Sequence, residues 1–243
     1  MDHKLLVVVP YRDRPEHFAE FLGVMPQYLH EENIEATIMI VEQADDYPFN
    51  RGKLLNVGVL EANLAPVDYD YIAFHDVDML PKSPGAGYHY CPTARQVHCP
   101  TMYSMGGISI VSKEVNEEAN GWCNQYWGWG GEDRNYLDRI KALALCSPTD
   151  EVPCIRGSVE AKLYFRELEG YHEEGRKSTK KKNQKVTKRF RNDPSLNKTD
   201  GLNNCRYQLE RVIHMEIPEC FPGVKAMEVK ANITYGANPE DVN

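Results

Sequence analysis

The sequence lacks any apolar run long enough to cross a membrane. Its longest unbroken hydrophobic stretch is Leu5–Val9, followed by Pro10, whereas a spanning helix needs about 20 apolar residues. The start of the chain also lacks the charged, apolar and small-residue segments of a signal peptide. We therefore expect a chain without a membrane span, which is either cytosolic or trimmed of an anchor.

Cysteine is too scarce and too unevenly placed for a disulfide scaffold. The 243 residues contain 7 cysteines, an odd number, so at least one thiol is free. His89, Cys91, His98 and Cys99 lie close in sequence, but their spacing matches none of the usual zinc-ligand patterns. Core or surface thiols are therefore favoured over a zinc site.

Positive charge is scarce outside one segment. The chain has 28 Lys and Arg against 36 Asp and Glu, and residues 176–191 hold nine of the basic residues and no acidic one. The rest of the chain therefore carries 19 basic and 36 acidic residues, a net charge of −17. So acidic a body does not suit a nucleic-acid partner, whereas one basic segment suits either a solvated loop or a mobile segment that meets a phosphate.

What the chain does have is the composition of an ordinary globular protein and an alternation of strands and helices. Hydrophobic residues make up 42% and charged residues 26%, which excludes disordered, collagenous and coiled-coil classes. Apolar runs and helical spacing predict a β-α-β-α-β order at Leu5–Val9, Glu16–Leu29, Ala36–Val41, Lys53–Asn63 and Tyr69–Phe74. That order predicts an α/β fold with a parallel sheet whose ligands gather beyond the carboxyl ends of the strands.

The second half of the chain is less regular. Gly106–Ser112 and Val224–Tyr235 are predicted as strands, and Glu132–Leu145 is predicted as an amphipathic helix. Residues 170–204 are polar and too long for an ordinary connection, so we predict a mobile lid loop there.

Two carboxylates follow the third predicted strand. Asp76 and Asp78 are one residue apart, so in extended chain they point to the same side and can offer oxygens to a hard divalent cation. The pattern by itself also fits a solvated turn.

Two tryptophans spaced by glycines precede the predicted helix at Glu132. The segment Tyr126–Asp133 combines bulky aromatic side chains with glycines that let the backbone approach a flat ligand. Glu132 and Asp133 open the helix, where carboxylates are favoured electrostatically. Helix capping and core packing are the structural alternative for this segment.

Four segments, in order, resemble the β-1,4-galactosyltransferase family, or glycosyltransferase family 7. They are Val9–Arg14, Pro48–Gly58, Phe74–Pro81 and Tyr126–Asp133. Within the family, Asn124–Trp127 and Tyr164–Arg166 are most similar to the xylosylprotein galactosyltransferases.

The resemblance implies one GT-A catalytic domain over residues 1–243, with a Rossmann-like, mostly parallel sheet. Residues 5–105 would form the nucleotide-sugar half, and residues 106–243 the acceptor half with the basic lid loop 170–204. The implied reaction is an inverting, Mn²⁺-dependent transfer of galactose from UDP-galactose to a sugar or glycoconjugate hydroxyl in β-1,4 linkage.

The resemblance also assigns site residues. Those implied to bind the donor are Pro10, Tyr11, Arg12, Arg14, Phe49, Arg51, Asp76, Val77, Asp78, Gly107 and Trp129. Those implied to bind the acceptor are Trp129, Gly131, Glu132, Asp133 and Arg134. Asp133 is implied to be the catalytic base that removes the proton of the acceptor hydroxyl.

The implied metal ligands are Asp78, Glu169 and His172, with Glu167 in reserve. The family has a histidine or a histidine-rich pair after an aromatic-Arg segment, whereas here Phe165-Arg166 is followed by two glutamates before His172. A site richer in carboxylate is harder, so Mg²⁺ is possible beside Mn²⁺.

The sequence leaves alternatives open. Relatives usually carry a tyrosine at the position of Ser104, and its displacement to Tyr103 leaves room for UDP-N-acetylgalactosamine, unless a bulge restores Tyr103 to the pocket or Met105 fills the space. Arg134, where most relatives carry aspartate, allows a non-catalytic nucleotide- or carbohydrate-binding protein. A nucleotidyl or phosphoryl transferase is a further alternative. The compartment is cytoplasmic if the chain is complete and microbial or viral, and the Golgi lumen if the chain is a trimmed catalytic domain.

Overall fold

The computed structural model describes residues 3–98, 104–143, 163–169 and 176–234. The strands are β1 (Leu5–Tyr11), β2 (Ala36–Gln43), β3 (Tyr71–His75), β4 (Met79–Pro81), β5 (Ala94–His98), β6 (Ile108–Ser112), β7 (Phe165–Glu167), β8 (Gln208–Met215) and β9 (Val224–Asn232). The helices are α1 (Pro15–Glu31), α2 (Arg51–Leu64), α3 (Lys113–Glu118), α4 (Glu132–Ala142) and α5 (Arg176–Asn192). Short 3₁₀ turns lie at Pro194–Lys198 and Leu202–Asn204.

A seven-stranded sheet in the order β5-β6-β3-β1-β2-β9-β8 forms the centre of the protein. The four inner strands β3, β1, β2 and β9 are parallel, and the outer strands pair antiparallel. Because β2 and β3 lie on opposite sides of β1, the chain reverses its direction of progress across the sheet at β1. Ligands of open α/β sheets bind at such a point, beyond the carboxyl ends of the strands.

Side chains of β1 alternate between two cores, as the period of a strand requires. Leu6 and Val8 pack on the face covered by α2 and α4, whereas Leu5, Val7 and Val9 pack on the face covered by α1. Both faces of the sheet are therefore covered, which explains why β1 and its neighbours are continuously apolar.

The early sequence predictions are confirmed. All five elements of the β-α-β-α-β order are present within a few residues of their expected bounds, and the parallel α/β fold is observed. The predicted strand at Gly106–Ser112 begins at Ile108, because Gly107 has a φ of 69°. The predicted helix ends at Ala142, and residues 144–145 and Tyr235 lie outside the described residues.

The prediction of a loop throughout 170–204 is wrong for α5, a helix of 17 residues. The many Lys and Arg residues of α5 obscure its helical pattern in the sequence. The side chains turned toward the protein repeat every three or four residues and are those of Thr179, Asn183, Val186 and Phe190.

A second, two-stranded sheet pairs β4 with β7 antiparallel. This pairing brings the distant segment after β7 to the end of β3, and the Leu168 amide donates to the Asp78 carbonyl at 2.7 Å. Within the part of the chain that the model describes, no helix combines the length and apolarity that a bilayer span requires.

Candidate active site

The carboxyl end of β1 carries two arginines that have separate partners. Arg12 Nη1 donates to the carbonyl of Tyr47 at 2.6 Å, and its guanidinium lies 5.6 Å from the centroid of the Phe49 ring. Arg14 Nη1 donates to Asp78 Oδ2 at 3.1 Å. Three of the predicted donor-binding side chains and the DxD segment are thus at one edge of the sheet.

The other predicted donor-binding residues of β1, Pro10 and Tyr11, lie at the same edge of the sheet. Pro10 is buried in the strand, and the Tyr11 ring lies 5.1 Å from that of Phe18. Burial raises the pKa of the Tyr11 phenol, so the group is a neutral hydrogen-bonding group at physiological pH.

Arg51, the first residue of α2, joins the two halves of the site. Its Nε donates to Asp76 Oδ1 at 2.6 Å, and its Nη1 donates to Asp133 Oδ1 at 3.2 Å. Its Cζ lies 4.9 Å from the centroid of the Trp122 ring. Burial alone would lower the pKa of Arg51, but the charges of Asp76 and Asp133 outweigh it and raise the pKa. One fixed cation therefore holds a carboxylate from each half of the chain.

The DxD segment is a turn and not extended chain, which corrects the prediction for its side chains. β3 ends at His75, and the Met79 amide donates to the Asp76 carbonyl at 3.2 Å. As a result, Asp76 pairs with Arg51 while Asp78 pairs with Arg14. The Val77 side chain packs in the core with residues of α1.

Asp78 has the electrostatics of a cation site. Burial is the largest effect that raises the pKa of Asp78, the neighbouring Asp76 charge raises it further, and Arg14 opposes both. Such a carboxylate gains from a positive ligand, which relieves the cost of its burial and of its like-charged neighbour.

The residues that follow β7 lie beside Asp78. The backbone carbonyl of Glu169 accepts a hydrogen bond from His17 Nε2 at 3.3 Å, and its side chain is exposed. Glu167, the reserve ligand, is instead engaged with His98 Nε2 at 2.9 Å. His172 lies outside the described residues, and among the residues that the model does describe, no three His, Cys, Asp or Glu side chains form a metal cluster.

Asp133 lies in the first turn of α4 with its carboxylate against a glycine. A Cβ on Gly106 would stand 2.5 Å from Asp133 Oδ2, so only glycine permits this approach. Gly131, with a φ of 109°, caps the helix before Glu132 and Asp133. The carbonyl of Gly107 accepts from the Asp76 amide at 3.1 Å and thereby fixes the backbone of the DxD turn.

The two adjacent acids differ in their surroundings. Glu132 is buried, its Oε2 has no hydrogen-bond partner among the described residues, and burial followed by the Asp133 charge raises its pKa to about 8. Burial also raises the pKa of Asp133, but Arg51 favours its charged form. Glu132 therefore holds a proton near neutral pH, and Asp133 is the acid better placed to be ionised.

The Trp-Gly loop is the other wall of the site. Trp127 is buried, whereas Trp129 is 46% exposed. Arg134 is half-exposed and pairs with Asp138 at 3.3 Å on the next turn of α4.

Sequence reasoning missed the residues that fasten α5 to this loop. Asn183 Nδ2 donates to the carbonyls of Trp127 and Trp129 at 3.1 Å each, and the Trp129 amide donates to Thr179 Oγ1 at 3.1 Å. Polar residues spaced four apart in a basic run were the available signal. The sequence also gave no sign of the buried pair Arg139 and Asp200, at 3.3 Å, which anchors the chain after α5 to α4.

The residues that bear on the donor sugar are only partly described. Tyr103 lies outside the described residues, and the Gly106 amide donates to Ser104 Oγ at 3.4 Å. Met105 is buried in the core between sheet and helices.

The arrangement combines the adjacent acids Glu132 and Asp133, of which only Asp133 is held by an arginine, a second pair of carboxylates beside arginines, and an exposed aromatic plane. Arginines suit a diphosphate, hard oxygen ligands suit a divalent cation, and the aromatic plane suits a sugar. The whole lies at the sheet edge where the chain reverses.

Comparisons with known proteins agree with this chemistry. Residues 1–92 match the family model described as the N-terminal region of glycosyl transferase group 7, and residues 89–148 match the model described as the N-terminal domain of galactosyltransferase. Xylosylprotein 4-beta-galactosyltransferase of Caenorhabditis elegans is 35% identical over 86% of this chain and 72% of its own length. Beta-1,4-galactosyltransferase 7 of Drosophila melanogaster is 33% identical over 89% of this chain and 66% of its own length.

Solved structures give the same result. The Drosophila β-1,4-galactosyltransferase 7 mutant in complex with manganese, UDP-Gal and xylobiose has a TM-score of 0.68 and 25% identity, covering 95% of this chain and 94% of that one. The catalytic domain of the same fly enzyme with xylobiose has a TM-score of 0.67 and 28% identity over the same shares. The fold is therefore GT-A, and the chain belongs to glycosyl transferase group 7, the family of the β-1,4-galactosyltransferases.

Proposed function

We propose that this chain transfers galactose from UDP-galactose to a sugar hydroxyl in β-1,4 linkage, with inversion at the anomeric carbon. The observation that carries the proposal is the contact of Arg51 with both Asp76 and Asp133. One guanidinium thus holds both carboxylates that we assign, Asp76 on the donor side and Asp133 as the base, within a group 7 fold.

The assignment of the base follows from the surroundings of the two acids. Asp133 removes the proton of the acceptor hydroxyl, the oxygen bonds to the anomeric carbon, and the bond to the diphosphate breaks with its electron pair leaving on UDP. Arg51 supports this role because it favours the ionised form of Asp133. Glu132, protonated near neutral pH, donates a hydrogen bond to a sugar oxygen.

The candidate ligand residues after β3 and β7 fit a divalent cation of the Mn²⁺ class. Asp78 is a partly buried carboxylate whose pKa is raised by burial and by Asp76 although Arg14 pairs with it, and the amide of Leu168, the residue before Glu169, donates to the Asp78 carbonyl. We assign Asp78, Glu169 and His172 as the ligands. Bound metal would supply Lewis-acid stabilisation of the leaving diphosphate.

We assign the acceptor to the xyloside class, with Trp129 as the surface beneath the sugar. Its exposed ring is adjacent to Glu132 and Asp133 along the chain. The names of two relatives, a xylosylprotein galactosyltransferase and a structure with xylobiose, support this assignment.

The test is a transfer assay with UDP-galactose, Mn²⁺ and a panel of β-xylosides, glucosides and N-acetylglucosaminides. We expect acceptor-dependent UDP release with xylosides and a product whose NMR spectrum shows a β-1,4-linked galactose. A parallel reaction with UDP-N-acetylgalactosamine measures donor choice. Absence of disaccharide with every acceptor, while UDP and sugars still bind, would identify a binding protein instead.

A further inference from the structure

Helix α5 has two chemically distinct faces. The inward face carries Thr179, Asn183, Thr187 and Phe190, which contact the Trp-Gly loop and the adjacent core. The other side chains of α5 face away from these contacts. Packing against the protein therefore does not determine which residue types they are.

The outward face of α5 carries a row of lysines formed by Lys181, Lys185 and Lys188, and Lys180 and Lys182 flank this row. All five are exposed, and none of them forms an ion pair with another residue that the model describes. Like charges three or four residues apart destabilise an isolated helix. The row is therefore a site whose electrostatic cost an external anion would relieve.

This row is attached to the acceptor side of the site. Thr179 and Asn183, on the inward face of the same turns, hold the backbone of Trp129. The Trp129 ring is 46% exposed at that point. Lys180 follows Thr179 and Lys182 precedes Asn183 in the chain, so a molecule whose sugar lies on Trp129 can pass beside them to the outward lysines.

We propose that the outward lysines of α5 bind a short acidic segment of the polypeptide that carries the acceptor sugar. The inference rests on the proposed function, because it takes Trp129 as the acceptor platform. It adds a peptide-recognition surface outside the sugar site, and it commits to acidic peptide among the possible polyanions.

Length and charge favour a short acidic peptide. Lys180 to Lys188 spans about 12 Å of helix, the length of roughly four extended peptide residues. The rest of the chain has a net charge of −17, so a nucleic acid or a flat anionic membrane that extends beyond the row would be repelled.

The experiment compares two xylosylated peptides that differ only in flanking residues, one with Asp and Glu and one with Ser and Gln. Transfer of galactose is measured at low ionic strength, and binding is measured by fluorescence anisotropy with UDP and Mn²⁺ present. We expect a KM and a Kd about tenfold lower for the acidic peptide, and the difference should disappear near 0.5 M salt.

Two matched variants locate the effect. The K181Q/K185Q/K188Q variant should lose the preference for the acidic peptide and keep its KM for a simple xyloside, whereas K181R/K185R/K188R should keep the preference. Equal Kd values for the two peptides, or a preference unchanged in the Gln variant, would overturn the inference. So would tighter lysine-dependent binding to a DNA oligonucleotide or an anionic vesicle than to the acidic peptide.

The two proposals fail in different ways. If no acceptor is galactosylated, the proposed function fails, and the anisotropy measurement still decides whether α5 selects acidic peptide. If both peptides are galactosylated with the same KM, the proposed function stands and the inference about α5 is wrong.

Discussion

Arg51 Nη1 donates to Asp133 Oδ1 across 3.2 Å, from the first turn of α2 to the first turn of α4. The contact joins parts of the chain 82 residues apart. Because the same guanidinium also holds Asp76, the positions of the candidate base and of the donor-side carboxylate are not independent. A change at Arg51 should therefore affect both.

Replacement of Asp133 by Asn should remove most transfer and leave donor binding. The amide is similar in shape but cannot accept the hydroxyl proton, and loss of a general base typically costs about 10²- to 10⁴-fold in rate. Single-turnover transfer and calorimetric titration with UDP and Mn²⁺ measure the two effects separately. A kcat equal to that of the wild type would reduce Asp133 to a structural residue of the helix start.

Replacement of Arg51 by Gln should move the acid limb of the pH profile of kcat/KM to higher pH. Arg51 lowers the pKa of Asp133, so its loss lets burial and Asp76 raise that pKa further, and the base is then ionised only at higher pH. Arg51→Lys, which keeps the charge, should shift the limb less. Arg211→Gln, at an exposed pair on β8, is the control and should not shift it. Identical limbs in all four proteins would contradict the assignment of Asp133.

Replacement of Asp78 by Ala should abolish metal-dependent UDP binding, while Asp68→Ala, at the opposite end of the sheet, should not. Mn²⁺ affinity should also fall in Glu169→Gln and stay unchanged in Glu167→Gln, because the Glu167 carboxylate is engaged by His98. Electron paramagnetic resonance of Mn²⁺ gives each affinity directly. A larger loss in Glu167→Gln than in Glu169→Gln would exchange the two residues in the ligand set.

Replacement of Glu132 by Gln should stabilise the protein at pH 8 more than at pH 5. A folded-state pKa of about 8 lies above the ordinary value of 4.5, so the unfolded chain binds fewer protons between these values and stability falls as pH rises through them. Gln removes this penalty, which is on the order of 1 kcal/mol or more at pH 8. Thermal melts at the two pH values test it, with exposed Glu114→Gln as the control. A gain equal at both pH values would show that charge is not its cause.

Replacement of Asn183 by Ala should loosen α5 from the Trp-Gly loop. The change removes two hydrogen bonds, one to the buried Trp127 carbonyl and one to the part-buried Trp129 carbonyl, each worth about 1 kcal/mol. We expect trypsin to cut faster between Lys180 and Lys188, and UDP with Mn²⁺ to slow the cut in the wild type. Gln184→Ala, on the exposed side of the helix, is the matched control. Equal cutting rates with and without UDP and Mn²⁺ would exclude a lid that responds to donor.

Sequence reasoning identified the elements that local pattern determines. The apolar run of β1 and the helical spacing of α1 predict those elements, and the chain order predicts where Arg12, Arg14 and Asp78 converge. The strand β8 was not predicted, because its side chains are exposed on an outer strand and its residues show no apolar alternation. Its existence depends on pairing with β9, which is a tertiary effect.

The site was predicted less completely because its contacts are long-range. The turn at Asp76–Asp78 depends on a hydrogen bond from the Asp76 amide to the Gly107 carbonyl, and the pairing of Glu167 with His98 depends on the position of β7. Neither leaves a periodic trace in the sequence. The family resemblance indicated which residue types to expect at the site. Only the tertiary structure shows which carboxylate pairs with which cation.

The ion pair between Asp200 and Arg139 holds the chain that follows α5, so the helix can pivot about its C-terminal end. Asp200 also accepts from the Asn124 amide at 3.1 Å, so the chain beyond the helix is fastened to two elements of the body. Thr179 lies about 20 Å along the helix axis from its last turn, and a rotation of ten degrees about the fixed end displaces it by roughly 3 Å. Such a rotation would break the hydrogen bonds of Thr179 and Asn183 with the Trp-Gly loop while Phe190 stays packed, so exposing the proposed acceptor platform would cost three hydrogen bonds and little apolar burial.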